Sequence, residues 1–144
     1  MPNFSNYGES GILEHIFRQG TFAKPSTIAV ALTALVPPES GTGGNIDEIP
    51  HGNGYSRQVA TGSVVWSEPT QDAGGSGFIQ NNSAITFGPN TTTDWGWVSG
   101  VAILDATGDA AGNMIMYGQL STSKLVSVND TLTFSSGSLI IRLS

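Results

Sequence analysis

Two histidines, eleven carboxylates and three tryptophans are the side chains with most chemistry to offer in this 144-residue chain. A hydrolytic triad needs an imidazole beside a nucleophile, oriented in turn by a carboxylate. His15 falls in a helical stretch and His51 beside Gly52 in a polar segment, neither within a nucleophile motif. Asp105, Thr107, Asp109 and Asn113 place oxygens much as a calcium loop does. The register fails, because Ala110 stands sixth, where glycine is needed, and Met116 twelfth, where a bidentate glutamate belongs. A hairpin connection rich in Asp, Gly and Asn accounts for the same residues. Glycoside chemistry needs two acids in one cleft, whereas Glu39, Asp47, Glu48, Asp72, Asp94 and Asp109 fall in expected loops. These residues predict no catalytic site, no metal and no cofactor.

Sugar binding without catalysis is a separate matter, since Trp66, Trp95 and Trp97 offer stacking faces. Isolated tryptophans in an all-β domain more often fill cores or interfaces. Trp95 and Trp97 are two apart and are expected to share a face, as an exposed or inter-subunit aromatic patch.

The elements that must position these groups are read from period and punctuation. Leu13, Ile16 and Phe17 recur at i, i+3 and i+4, predicting a short amphipathic helix with Ser5, Asn6 or Ser10 as N-cap and Gly20 as its stop. Gly8 and Gly11 weaken its start, which leaves Ser10 to Gln19 as the expected helical part. So short a helix must dock on the body or on a neighbour. After Pro25 the period becomes two. Strands are expected at Thr27–Leu35, Tyr55–Thr61, Ser63–Ser67, Ala84–Phe87, Trp97–Asp105, Asn113–Leu120, Leu125–Val128, Leu132–Phe134 and Ser138–Leu143. Glu39 to Asn53 reads as a long surface loop. The expected fold is all-β, an antiparallel β-sandwich of jelly-roll or immunoglobulin-like type with a short N-terminal α-helix. Residues 1–20 form a helical attachment segment and 21–144 the sandwich. Ile28, Val30, Leu32, Val101, Ile103, Ile115, Leu132, Phe134 and Ile140 are its expected core.

Composition narrows the partners. Only 11% of residues are charged, against roughly a quarter in an average domain. A net charge of −6, with Arg18, Lys24, Arg57, Lys124 and Arg142 scattered, disfavours nucleic acid and anionic membranes. No apolar run approaches the roughly 18 residues of a transmembrane helix, and the N-terminus lacks a signal-peptide pattern. Without cysteine neither disulfides nor cysteine-ligated zinc are available.

The order of several motifs resembles a widespread family of small tailed-bacteriophage structural proteins, often labelled tail-fibre-like. They are N-F-S-N-Y…I-L-E-H-I-F from Asn3 to Phe17, A-K-P-S-T-I-A-V-A-L from Ala23 to Leu32, and Gly54-Tyr55-Ser56-Arg57-Gln58-Val59. Further on come Ala84–Phe87, Trp95–Val98, Ile103–Ala106, Met114–Leu120, Lys124 and Val128–Phe134. The resemblance implies a virion structural protein, made in the host cytoplasm, with a β-sandwich body and no catalytic residues. The chain has no shaft repeat and no second receptor-binding domain, which turns the expectation from a whole fibre towards a capsid decoration (cement) subunit binding across capsomers. The expected partners are the major capsid protein and further copies of the chain in a homo-oligomer. A tail-fibre or baseplate accessory bound to tail proteins, and a carbohydrate-binding adhesion module using Tyr55, Trp95 and Trp97, are the alternatives. Leu13, Ile16, Phe17, Trp95 and Trp97 are the candidate interface residues, with the Glu39–Asn53 loop as a second attachment element.

Overall fold

A computed structural model describes residues 3–143; Met1, Pro2 and Ser144, the outer ends of the two expected segments, lie outside the described residues. Strand β1 (Asn3–Phe4) leads into helix α1 (Asn6–Phe17), followed by β2 (Ala29–Thr33), β3 (Gln58–Val59), β4 (Thr70–Gln71) and β5 (Gly77–Gln80). The chain continues through β6 (Ile85–Phe87), β7 (Gly96–Leu104), β8 (Met114–Val126), β9 (Leu132–Phe134) and β10 (Ile140–Leu143). A five-stranded sheet runs β1-β8-β7-β2-β3, a three-stranded one β10-β5-β4, and β6 pairs with β9. All pairings are antiparallel. The expected all-β sandwich with a short N-terminal helix holds.

Alternation along β2 explains the two-sided packing of the large sheet. Val30 and Leu32 join Val98, Val101, Ile103, Met116, Phe87, Leu132 and Leu139 in the main core. Ala31 turns the other way, onto Ala102, Leu104 and Met114, with Ile46 packed against them. Small residues suit this second face because a connecting segment, not a sheet, covers it. Ile28, Ile115, Phe134 and Ile140, expected in the core, are only half-buried, and Leu139 takes the buried position that Ile140 was expected to fill.

Strands β1, β4 and β5 were not expected, and three further elements differ from expectation. The two strands expected over Asn113–Leu120 and Leu125–Val128 are the single β8, because Gly100 pairs with Gln119 and Val98 with Lys124. Residues 120–123 therefore bulge opposite Ser99, and the strand resumes its pairing beyond them. Of the strand expected at Ser63–Ser67, residues 63–65 are a turn, with the Val65 and Trp66 amides donating to the Gly62 carbonyl at 3.1 Å, and Trp66 makes an isolated bridge to Asn81. The third is the helix, which starts at Asn6 and not Ser10. Ser5 caps it, accepting from the Gly8 amide at 3.1 Å while its hydroxyl donates to the Met114 and Ile115 carbonyls. Gly8 is the point of closest approach: a Cβ there would lie 2.5 Å from the Ile115 carbonyl oxygen. The glycine costs helix propensity but lets the first turn lie against β8.

Candidate functional site

The Glu39–Asn53 segment is an integral layer of the fold. Its Ala34 amide to Asp47 carbonyl bond (2.8 Å) and Ile49 amide to Leu32 carbonyl bond (3.0 Å) continue β2 pairing beyond the strand end. Ile49 is buried in the main core. The expectation of a surface loop fails in part, because Ile46, Glu48 and Ile49 supply side chains that the large sheet buries.

Glu48 is the centre of a buried polar cluster. Arg57 donates to both its oxygens, Nε to Oε1 at 2.9 Å and NH2 to Oε2 at 2.7 Å. The Tyr55 hydroxyl donates to Oε1 at 2.8 Å and accepts from the Leu32 amide at 3.0 Å. His51 Nε2 lies 3.2 Å from the same oxygen. Arg57 NH1 also donates to the carbonyls of Ala106 (2.9 Å) and Ala111 (2.8 Å), so one guanidinium ties the β2–β3 connection to the β7–β8 connection. The Arg57 side chain is 0% and the Glu48 side chain 8% exposed. Burial alone would raise the Glu48 pKa, but Arg57, Tyr55 and His51 outweigh it and hold the carboxyl below its ordinary value. Burial and the neighbouring Glu48 charge push the Tyr55 hydroxyl far up.

This arrangement binds protein to protein. Oε1 is faced by Arg57, Tyr55 and His51, and Oε2 accepts from Arg57. Asp109 offers an oxygen beside Glu48 and His51, all within 4.8 Å. Arg57 already supplies there the positive charge that a cation would bring. Asp105 is likewise occupied, accepting from the Asn113 amide at 2.7 Å and its side-chain amide at 2.9 Å, as a hairpin connection requires.

The aromatic residues part company. Trp95 is 9% exposed, its ring edge-on to Tyr55 at 5.5 Å and its Nε1 donating to the Asn53 carbonyl at 3.0 Å. Trp97 is 59% exposed and pairs across strands with exposed Leu125. The expected shared face fails at Gly96, whose φ of +79° interrupts the alternation between them. Since Tyr55 stacks on Phe87 inside the core, Tyr55, Trp95 and Trp97 form no common glycan platform.

The helix presents what remains. Leu13, Ile16 and Phe17 are 56%, 55% and 75% exposed, although the first turn of α1 is fixed to β8. The stripe thus points away from its own sandwich. Arg18 and Glu14 form an i, i+4 pair at 2.8 Å. The Glu48–Arg57 cluster was the functional arrangement missed in the sequence. Its available signal was Tyr55 and Arg57, two apart and so on one strand face, in a chain with few charges.

Residues 3–142 match the family described as podophage GP4 fiber I protein gp80. No curated protein sequence matches the chain. No helix among the described residues is long and apolar enough to cross a membrane.

Proposed function

Because the chain belongs to the podophage GP4 fiber I protein gp80 family, and so to the structural proteins of the phage virion, we propose that it is a non-catalytic subunit of the tail-fibre apparatus. It acts by burying surface against other virion proteins. The observation that carries this reading is the family match over nearly the whole chain, joined to a helix whose apolar stripe has no cover in its own subunit. The absence of catalysis is supported by the chemistry of the buried Glu48 cluster, where Arg57, Tyr55 and His51 hold the carboxyl ionised. Specific association needs about 800 Å² per partner, and several modest contacts reinforce one another through effective concentration.

A capsid decoration subunit is the second reading. It is supported by the antiparallel sandwich, whose exposed α1 stripe suits burial across a seam between capsomers. Both readings work through the same exposed elements, α1 and the Trp97–Leu125 pair. Cryo-electron microscopy of purified virions, with this sandwich fitted into the reconstruction, separates them. Tail density that accepts the fold supports the fibre role, and a lattice of copies on the head surface supports decoration. Virions with no such density in either place would sink both.

A further inference from the structure

An open groove of about 520 Å³ runs between the bulged half of β8 and the β9–β10 segment. Its floor is apolar, formed by Val101, Leu120, Leu132 and Leu139, and its rim carries Lys124 and Arg142. The volume suits a bound ligand, since sites commonly enclose roughly 300–1,000 Å³. No carboxylate, histidine or tyrosine lines it. Apolar floor and cationic rim together select an apolar surface flanked by acids, as an amphipathic helix offers when it lies in a groove.

Such a helix is present on every copy of this chain. Leu13, Ile16 and Phe17 are exposed together on α1, and Glu9, four residues before Leu13, stands on the same face. Its own sandwich does not cover this stripe: β1 pairs with Met116 and Tyr117, Ser5 bonds to β8, and Gly8 sits against Ile115, fixing α1 with the stripe outward. The charges also match. The chain carries −6 overall, so two copies repel except where unlike patches meet. The groove holds two of the five cations. Arg142 already pairs with Asp72 at 3.0 Å, while among the described residues Lys124 and Glu9 have no ion-pair partner.

We propose that the groove receives the α1 stripe of a second copy of this chain, with Leu13, Ile16 and Phe17 on the floor and Glu9 beside Lys124. Donor and acceptor surfaces differ, so each copy can give and receive at once. Head-to-tail contacts of this kind close into rings or extend as filaments according to the rotation between copies. The inference deepens the structural-subunit reading but is tested on the purified chain in solution. Its failure would leave the virion location untouched, and the reverse also holds.

The natural sequence has no cysteine, so paired substitutions map the contact without background. Phe17→Cys and Thr133→Cys are made in separate copies, mixed under mild oxidation and resolved by non-reducing electrophoresis with peptide mass mapping. The expected product is the mixed disulfide. Sedimentation velocity of the full chain should show concentration-dependent association, weakened at least about tenfold by Phe17→Asp. Lys124→Glu should weaken it as well, and adding Glu9→Lys should restore it. Each variant is first shown to melt as the natural chain does. A monomer at every concentration with no mixed disulfide overturns the proposal. So does a product joining Phe17→Cys copies to each other alone, association indifferent to Phe17→Asp, or a charge swap that fails to restore binding.

Discussion

Replacing Arg57 with methionine removes the cation facing Glu48 while keeping much of the side chain's length and apolar bulk. Water cannot readily take its place, because the Arg57 side chain is 0% and the Glu48 side chain 8% exposed. Breaking a buried pair from one side costs about 3–5 kcal/mol. The Ala106 and Ala111 carbonyls lose their donor too, but both residues are only half-buried, so solvent offsets part of that loss. In a chain of this size each kcal/mol moves the melting temperature by about 2–4 °C, so a fall of roughly 10–15 °C is expected. The pH dependence gives a second, independent check. In the natural chain Glu48 lies below its ordinary value of 4.5, so its contribution is complete above that pH and is lost as pH falls through the lower, folded value. In Arg57→Met, burial is opposed only by Tyr55 and His51, and the folded carboxyl moves up. The variant then gains stability on taking a proton, and its deficit against the natural chain should narrow as pH falls from 7 to 4. Urea unfolding followed by tryptophan fluorescence at pH 7, 5 and 4 measures both effects. A deficit below about 1 kcal/mol at pH 7, or one that stays constant or widens in acid, would refute the assignment of Arg57 as the partner that keeps Glu48 buried.

Gly8→Ala places a methyl 2.5 Å from the Ile115 carbonyl oxygen. It should cost about 1–3 kcal/mol and speed amide exchange through α1 with little change in the β7 amides. The two neighbouring tryptophans should separate cleanly in thermal melts: Trp95→Ala costs about 3–5 kcal/mol, while Trp97→Ala stays within about 0.5 kcal/mol. Gly96→Ala meets no neighbouring atom, yet its φ of +79° should cost about 1–2 kcal/mol by the same assay. Asp105→Ala removes two hydrogen bonds from the β7–β8 connection and should cost about 1 kcal/mol per bond, with the melting temperature of the natural chain unmoved by millimolar calcium.

The parts of the fold legible in the sequence are those governed by local period. The alternation of Ile28, Val30 and Leu32 marks β2, and the apolar run from Trp97 marks β7, because such residues bury themselves wherever the strand lies. The bulge at 120–123 depends on Ser99 across the sheet, and no pattern within β8 announces it. The start of α1 is hidden for a related reason. Gly8 counts against a helix in isolation, and its value appears only once Ile115 is known to lie beneath it. The exposed stripe of Leu13, Ile16 and Phe17 was readable as amphipathic, but its outward direction was not, since Ser5 and β1 set it through contacts more than a hundred residues away. Trp95 was misplaced by a single left-handed residue, and Glu48 by a loop whose scattered apolar positions conceal that it is a layer. In each case the missing information is a partner distant in sequence.

A cysteine-free chain that ties two connections with one guanidinium carries its cross-link in a form that no redox environment can open. Small proteins that work outside cells commonly fasten such segments with disulfides, which need an oxidising compartment to form. The Arg57 tie forms as the chain folds, in a reducing interior, and is equally intact after a particle is released into an oxidising medium. It also re-forms after any transient opening, with no thiol exchange and no catalyst. For a virion component this means that a subunit folded before assembly is already in its final cross-linked state. Its lifetime outside the host is then governed by the exclusion of water from Glu48, and not by the redox potential around it.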